Sequence, residues 1–275
     1  MVQRSISDSR QERLDAILEY LLAEGDASAQ SLAGRFGVSL MTAHRDLDEL
    51  QRRGIVRKFR GGVSVQRTST YEIAATLRRL VAVPQKRAIA AAAYRLVEPG
   101  QSVLLDDSTT AATALDHLLK VEGLHIVTNY LPAMSRIATD GRIALTAIGG
   151  TYDIGHESFL GVAAASAIRG MRVDTVFFST SSADIAGTYH QEESIVAVKT
   201  EMIRSARRRV LLMDSSKLGG TSLHLVSDWS AIDDLITDTA APAELLDTLR
   251  SRGVAVTVVD PDETVHQPHS SDEEK

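Results

Sequence analysis

The sequence contains no cysteine. This excludes disulfide bonds, thiolate metal sites and thiol nucleophiles, and it is compatible with a reducing compartment. Long hydrophobic runs are also missing, because no apolar stretch approaches the roughly 20 residues that span a bilayer. The first residues, MVQRSISDSRQER, lack the apolar segment of a signal peptide. We therefore expect a cytoplasmic protein that does not enter the membrane.

Proline is scarce as well, with 6 residues in a chain of 275 that is 44% hydrophobic and 24% charged. This composition is typical of globular proteins, and the length predicts a sizeable core divided between two domains.

Acidic residues outnumber basic ones and give a formal net charge of −6, which argues against a nucleic-acid partner. The segment from Gln51 to Arg67 is the exception, because it has no acidic residue and carries six basic ones: Arg52, Arg53, Arg57, Lys58, Arg60 and Arg67. Such a segment can bind phosphates while an acidic domain sets the total charge. The alternative is a solvated, charged hairpin.

The stretch Val38 to Val56, VSLMTAHRDLDELQRRGIV, predicts a helix that Ser39 caps and Gly54 ends. Its apolar residues have helical spacing and predict a stripe that faces a core: Leu40, Ala43, Leu47 and Leu50. The other side presents Met41, Thr42, Arg45 and Arg52, with His44 at its edge. Helices of this kind enter the major groove of DNA with their N-terminal turn.

Two helices are predicted before this one. Arg10 to Ala23 has the apolar spacing of an amphipathic helix, and Ser28 caps a short helix over Ala29 to Phe36. After the third helix, IVRKFRGGVSVQ contains two β-prone runs joined at Gly61-Gly62, which predicts a hairpin. Residues 8–67 are therefore predicted to form a winged helix-turn-helix.

Residues 68–84 are predicted to be a linker with a helix over Glu72–Leu80, and a second helix then runs to about Leu96. Residues 85–260 alternate short apolar runs with helical ones, which predicts an α/β domain with a mostly parallel sheet covered on both faces. The predicted strands are Ser102–Leu105, His125–Thr128, Ala144–Ile148, Thr175–Phe178, Val210–Met213, Asp234–Thr237 and Ala255–Val259, and the helices between them include Thr110–Lys120, Ile195–Ser205 and Pro242–Arg252.

The polar, acidic residues 261–275 predict a disordered tail. His266 and His269 are expected to belong to this tail rather than to a metal site. We predict neither a metal ion nor a cofactor.

Ligands of open α/β sheets bind beyond the carboxyl ends of the strands. In LLDDSTTAATAL, Ser108, Thr109 and Thr110 open a helix directly after a strand, an arrangement that favours an anion. Asp106 and Asp107 would repel a phosphate unless they face sugar hydroxyls. The alternative is that Ser108 only caps the helix.

Three further segments place polar groups near strand ends. They are Thr128-Asn129, the glycine pair Gly149-Gly150, and Asp214 to Lys217. The glycine pair either lets a ligand approach the backbone closely or only makes a turn. Lys199 lies on a helix spaced to face the same region, although a solvated surface lysine is the alternative.

The chain resembles the DeoR family of bacterial transcriptional regulators from about Arg10 to Asp260. The motifs that carry the resemblance are RQERLDAILEYL, LAGRFGVSLMTAHRDLDELQRRGIVRKFRGGV, DDSTT, IVTNY, AIGGTY, the EMI after Lys199, DSSKLG and LITD. The resemblance implies an N-terminal winged helix-turn-helix and a C-terminal domain similar to ribose-5-phosphate isomerase that senses a phosphorylated sugar.

The resemblance, together with the exposed side of the helix and the basic hairpin, gives two expected sets of contacts. The DNA-binding residues are Ser39, Met41, Thr42, His44, Arg45, Arg57, Lys58 and Arg60. The effector-binding residues are Asp106, Ser108, Thr109, Thr110, Asn129, Gly149, Gly150, Lys199, Asp214 and Lys217.

The sequence departs from the family pattern in two places. His44-Arg45 stands where two arginines are usual, so we expect a different base preference and weaker binding as His44 loses its charge above about pH 6.5. Asp107 and Ser108 stand in the Ser and Gly positions of the usual Asp-Ser-Gly-Thr-Thr loop, which bears on the identity of the effector.

We therefore expect an oligomeric, non-enzymatic repressor of a carbohydrate catabolic operon, relieved by a sugar phosphate or related metabolite. An activator with the same sensor has the same sequence features. The competing class is a sugar-phosphate isomerase or deaminase that carries a DNA-binding module, with Asp106, Asp214, Lys217 and Asp238 as its acid/base groups.

Overall fold

The computed structural model describes residues 10–52, 56–65, 75–79 and 81–263. The chain divides into two compact units between Val81 and Ala82. Across the described ranges, no helix combines the length and apolar character that membrane crossing requires.

The first unit contains the three predicted helices followed by the predicted hairpin. Its elements are α1 (Arg10–Glu24), β1 (Asp26–Ala27), α2 (Ala29–Phe36), α3 (Leu40–Arg52), β2 (Val56–Phe59), β3 (Gly62–Val65) and α4 (Ala75–Arg78). The strands form an antiparallel sheet in the order β1-β3-β2. Ser28 Oγ accepts the N–H of Ser31 at 3.0 Å, and Ser39 Oγ accepts that of Thr42 at 3.1 Å, so both predicted caps are confirmed.

The apolar stripe of α3 differs from the prediction at one end. Ala43, Leu47 and Leu50 are buried, whereas Leu40 is 48% exposed because it is the first residue of the helix. Asp46, which shares their helical spacing, is buried instead, and Arg13 Nε donates to its Oδ2 at 2.6 Å. An ion pair between α1 and α3 therefore stands beside the apolar core of this unit.

Several predictions in the first half fall outside the described residues. Gly54, Arg53 and Arg67 do so, as do both ends of the predicted helix Glu72–Leu80, whose described part contains α4. His266 and His269 in the tail also lie outside.

The second unit is an α/β structure. Its helices are α5 (Val83–Ala93), α6 (Thr109–Thr113), α7 (Leu115–Leu118), α8 (Leu131–Asp140), α9 (Val162–Arg169), α10 (Glu193–Ser205) and α11 (Ala243–Ser251). Its strands are β4 (Ser102–Leu105), β5 (His125–Thr128), β6 (Ala144–Ala147), β7 (Thr151–Asp153), β8 (Ser158–Leu160), β9 (Val173–Phe178), β10 (Ser182–Ala183), β11 (Gly187–His190), β12 (Ala206–Leu212), β13 (His224–Asp228), β14 (Asp234–Asp238) and β15 (Ala255–Val259).

The seven predicted strands form one parallel sheet in the order β15-β14-β12-β9-β4-β5-β6, which confirms the predicted fold class. Successive residues of a strand point to opposite faces. Accordingly Phe177 packs in one hydrophobic cluster, while its neighbours Val176 and Phe178 pack in another. Both faces of the sheet are therefore covered.

The order of the strands reverses at β4. From β4 the chain continues through β5 and β6 toward one edge, and β9, β12, β14 and β15 extend toward the other. The crevice between the carboxyl ends of β4 and β9 is the place where sheets of this type bind ligands. The β7–β8 hairpin and the antiparallel sheet β10-β11-β13 are additions that the sequence did not predict.

Candidate functional site

The N-terminal turn of α3 presents a polar surface. Met41 is 66% exposed, and Ser39, His44 and Arg45 are exposed with it. The hydroxyls of Ser39 and Thr42 form a hydrogen bond of 2.9 Å, so both residues belong to the helix cap as well as to this surface. These side chains lie opposite the buried face of α3, where a helix can reach the bases of a major groove.

The hairpin adds basic side chains of two kinds. Arg57 and Arg60 are exposed. Lys58 is half-buried and forms an ion pair with Asp48 of α3, which lowers the pKa of that carboxyl through the hydrogen bond from Lys58. Lys58 therefore ties the hairpin to α3, while Arg57 and Arg60 extend into solvent.

A buried charged cluster occupies the crevice between β4 and β9. Lys199 of α10 is 3% exposed, and its Nζ donates to Asp106 Oδ2 and, at 3.0 Å, to Asp107 Oδ1. Burial acts to lower the pKa of Lys199, but the two carboxylates outweigh it and raise the pKa above its ordinary value. The alternative of a solvated surface lysine was wrong for Lys199.

The two carboxylates also hold the neighbouring loops. Asp106 accepts the backbone N–H of Ser108 and that of Ser179, each at 2.9 Å, and so joins the segments that follow β4 and β9. Asp107 accepts the hydroxyl of Ser158 at 2.8 Å, which attaches the β7–β8 hairpin to the same cluster.

Ser108 caps α6, because its Oγ accepts the N–H of Ala111 at 3.0 Å. Thr109 and Thr110 follow it and are buried. The hydroxyl of Thr113, at the end of α6, donates to the carbonyl of Thr109 at its start at 2.9 Å, so a side-chain bond also stabilises this short helix. The capping role predicted as an alternative for Ser108 is thus present.

Several buried side-chain oxygens in or beyond the last residues of strands β4, β5, β9, β11 and β14 have no hydrogen-bond partner among the described residues. They are Thr110 Oγ1, Asn129 Oδ1, Ser179 Oγ, Ser181 Oγ, Gln191 Oε1 and Thr237 Oγ1. Most stand directly after a strand or at its last residues. A buried polar group without a partner costs about 1 to 3 kcal/mol, so these oxygens call for a ligand or an ordered water.

Sequence reasoning missed four of these residues: Ser179, Ser181, Gln191 and Thr237. The run STSS directly after the apolar strand VDTVFF is the signal that could have found the first two, since it parallels DDSTT after SVLL.

The remaining predicted residues lie at the same edge but play different structural parts. Gly149 is exposed, and a Cβ there would meet nothing within 4 Å, whereas a Cβ on Gly150 would lie 2.5 Å from the carbonyl oxygen of Leu160. Asn129 donates its side-chain N–H to the carbonyl of Phe159 at 3.0 Å. Asp214 accepts the N–H of Ser216 at 3.2 Å and so holds the turn that carries the half-buried Lys217.

The end of β12, where Asp214 and Lys217 stand, is two strands from β4 in the sheet, or about 10 Å. The predicted residues are therefore spread along one edge of the sheet, with Asp214 and Lys217 on one side of β4 and Asn129, Gly149 and Gly150 on the other. No set of three or more His, Asp or Glu side chains within the described ranges could hold a metal ion.

Comparison with known proteins decides the family. Residues 13–69 match the model of the DeoR-like helix-turn-helix domain, and residues 81–239 match that of the DeoR C terminal sensor domain. The chain belongs to the DeoR family. It is a DNA-binding transcriptional regulator rather than an enzyme, as the resemblance implied.

Similar proteins cover most of the chain. An uncharacterized HTH-type transcriptional regulator, YgbI of Escherichia coli K12, is 33% identical over 84% of this chain and 91% of its own length. The putative aga operon transcriptional repressor of Escherichia coli O157:H7 is 28% identical over 90% of this chain and 93% of its length. The HTH-type transcriptional repressor GlcR of Bacillus subtilis is 29% identical over 92% of this chain and 98% of its own length.

Among solved structures, ribose 5-phosphate isomerase from Plasmodium falciparum aligns with 48% of this chain and 52% of its own, at 14% identity and a TM-score of 0.36.

Proposed function

We propose that this regulator is a repressor of a carbohydrate catabolic operon and that a phosphorylated sugar or related metabolite releases it from its operator. The observation that carries the effector half of the proposal is the set of unpartnered buried oxygens on Thr110, Asn129 and Ser179, which follow β4 and the strands on either side of it. Hydroxyl and amide oxygens of this kind suit the hydroxyl groups of a sugar, which both donate and accept.

The proposed DNA contacts come from two elements of the first unit. Residues of the α3 turn, above all Arg45, would read bases in the major groove, while Arg57 and Arg60 of the hairpin would contact the flanking phosphates. Lys58, paired with Asp48, would position the hairpin more than it adds charge.

The proposed effector contacts follow the carboxyl edge of the sheet. The buried cluster carries one positive and two negative charges, so it would face the sugar hydroxyls, and Lys217 at the end of β12 would meet the phosphate. The proposed set is Asp106, Ser108, Thr109, Thr110, Asn129, Gly149, Gly150, Lys199, Asp214 and Lys217, to which we add Ser179 because its buried hydroxyl has no partner among the described residues.

The mechanism we propose is linkage between the two binding events. The effector would prefer the form of the protein that holds the operator poorly, and a hundredfold loss of operator affinity corresponds to about 2.7 kcal/mol of coupling. A dimer or tetramer would read two symmetric half-sites about one helical turn, or a multiple of it, apart. Such a regulator acts in the compartment that holds the DNA, which for this family is the cytoplasm.

Two of the named relatives support repression, and one is named an activator. The aga operon repressor and GlcR are named as repressors, whereas a relative from Haemophilus influenzae, 27% identical over 85% of this chain and 94% of its own length, is named an L-fucose operon activator. Mapping the bound site relative to the promoter distinguishes the two, because a repressor site overlaps the promoter.

The DNA-binding half is tested by footprinting the upstream region of the neighbouring genes with the Arg45→Ala variant. We expect loss of protection, because a bidentate arginine contact to a base contributes about 1 to 3 kcal/mol of discrimination. Arg136→Ala, which removes an exposed arginine from α8, is the matched control. Unchanged protection by Arg45→Ala would refute the assignment of α3.

The effector half is tested by a thermal-shift screen of sugar phosphates, followed by induction assays of Lys217→Ala. We expect this variant to repress normally and to respond to no inducer, while Lys120→Ala responds as the parent does. Normal induction of the Lys217 variant would remove that residue from the site.

A further inference from the structure

A second charged cavity lies at the opposite end of the sheet, at the amino ends of β9 and β12. It has a volume of about 240 Å³ and is lined by Arg169, Arg172, Glu201, Arg204 and Ser205. Because β9 has six residues, roughly 17 Å separates this end of the strand from the crevice described above. The proposed function makes no use of this cavity.

A single buried carboxylate organises the arginines. The side chain of Glu201 is 10% exposed, and Arg169 and Arg204 approach the same oxygen, Oε1, at 3.2 and 3.3 Å. Both arginines are otherwise exposed, by 67% and 70%. The hydrogen bond from Arg169, followed by burial that opposes it, leaves the pKa of Glu201 below its ordinary value, so the carboxylate is ionised and fixes both guanidinium groups.

The third arginine is fixed by the backbone. Arg172 donates from one nitrogen to the carbonyl of Met171 at 2.6 Å and to that of Arg169 at 3.4 Å. It therefore shields the carbonyl end of α9, which would otherwise repel an anion.

The balance of charge at this cavity is positive. Three guanidinium groups and one carboxylate give +2. The carbonyl ends of α9 and α10 each add roughly half a negative charge, which leaves about +1 at a site on a chain whose total is −6. The three arginines all lie at these helix ends, and their summed charge exceeds what Glu201 and the two helix ends offset.

We propose that this cavity is an anion site that binds a phosphate group, either free or carried by a larger molecule. Arginine presents its donors in a planar fork that matches phosphate oxygens, and Arg169 and Arg204 each use only one nitrogen on Glu201. The volume is below the roughly 300 to 1,000 Å³ of sites for larger organic ligands, so the phosphate rather than a sugar or a base occupies the cavity.

The proposal is tested by isothermal titration of the full-length protein with pyrophosphate and, separately, with inorganic phosphate. We expect the double variant Arg169→Ala/Arg204→Ala to bind pyrophosphate about tenfold more weakly or worse, the scale of a lost charge-assisted hydrogen bond. Arg204→Ala alone should give a smaller loss. Because Arg169→Ala/Arg204→Ala leaves the buried Glu201 without both of its cations, circular dichroism checks that the fold is kept, and Arg204→Ala, which retains Arg169, gives a comparison that does not depend on that loss.

Two controls separate this site from other places where an anion could bind. Arg136→Ala/Arg250→Ala removes the same charge from exposed arginines of α8 and α11, and Arg142→Ala removes one exposed arginine elsewhere in the sensor unit. Pyrophosphate affinity should stay unchanged in both.

Three results would overturn the proposal: no binding by the parent protein, equal weakening in Arg136→Ala/Arg250→Ala, or a change of oligomeric state in Arg169→Ala/Arg204→Ala without any change in pyrophosphate binding. The last result would assign the arginines to contacts between copies of the chain. None of these results bears on the operator or sugar-phosphate tests.

Discussion

Lys199 lies between Asp106 and Asp107 with all three side chains buried. Removing one partner from a buried ion pair leaves a charge without compensation, which is far more costly than losing an ion pair on the surface. The lysine therefore holds together three segments of the sensor unit: the loop after β4, the helix α10 and, through Asp107 and Ser158, the β7–β8 hairpin.

Lys199→Met should destabilise the protein by roughly 3 to 5 kcal/mol, because two adjacent carboxylates would remain buried without a cation. Urea denaturation followed by circular dichroism measures the change. Lys120→Met, at an exposed lysine of the same unit, should cost less than about 0.5 kcal/mol. Similar losses in the two variants would show that the buried cluster does not stabilise the fold.

His117 gives the sensor unit a dependence on pH. Its ring stacks on Tyr94, with centroids 4.8 Å apart. Burial, then the charge of Lys120, lowers its pKa; Asp116 acts in the opposite direction, and Arg95 adds to the lowering. Because the folded pKa is below the unfolded value of about 6.5, the unfolded chain takes up the proton first. The contribution to stability is complete above that value and is lost as the pH falls through the folded pKa.

His117→Phe, which keeps the ring stack and removes the titration, should therefore lose less stability than the parent between about pH 7 and pH 5. Denaturation midpoints measured across that range test this. His44→Phe, which changes an exposed histidine of the first unit, is the control. In this variant the denaturation midpoint of the sensor unit should depend on pH as it does in the parent. An identical pH profile for the parent and His117→Phe would contradict the assignment.

Among the elements, the β7–β8 hairpin contains a close backbone contact at one glycine. Gly150, with a φ of 156°, precedes β7 and lies against the backbone of Leu160 in β8. Its neighbour Gly149 has open space around it. Gly149 and Gly150 were assigned together from the sequence, but we expect them to differ in how well they tolerate a side chain.

Gly150→Ala should destabilise the sensor unit by roughly 1 to 3 kcal/mol, since the added methyl would meet a backbone oxygen that cannot move aside. Gly149→Ala should stay within about 0.5 kcal/mol of the parent. If Gly149 contacts the effector, its variant should nevertheless show a weaker response to the inducer. Equal thermal unfolding temperatures for the two variants would contradict this division of roles.

The elements of the main sheet could be predicted because each of its seven strands is a short, continuous apolar run between helices. The added strands are two to five residues long and mix polar with apolar residues, as in Ser158-Phe159-Leu160, so no period marks them. Helix α9, VAAASAIR, was not among the helices named from the sequence, and its small residues give little contrast between faces.

The charged cluster could be predicted only in part. DDSTT marks a strand end by its composition, but Lys199 meets Asp106 from 93 residues away along the chain, so its burial is a property of the fold. The burial of Asp46 could not be predicted for the same reason, because its partner Arg13 lies on another helix, 33 residues earlier.

For the whole molecule, the division between Val81 and Ala82 separates the helix-turn-helix match from most of the sensor-domain match, so under the proposed function ligand and DNA act on different units. A sugar phosphate that binds only the folded sensor unit should stabilise that unit by about 2.7 kcal/mol at a hundred times its Kd. Calorimetry with the sugar phosphate should show a higher unfolding temperature for the sensor unit and an unchanged one for the first unit. Operator DNA should raise the unfolding temperature of the first unit and leave that of the sensor unit unchanged. A rise of the transition of the first unit with sugar phosphate alone would contradict this separation.

The burial of Lys199 also makes it a chemical reporter. Amine-directed reagents reach an exposed lysine such as Lys120 in the native protein, but Lys199 is enclosed and held protonated, the form that does not react. Acylation at Lys199 would therefore accumulate only in molecules whose sensor unit has opened. The extent of that modification would count the opened fraction in a mixture where most molecules remain folded, without any need for an operator or an inducer.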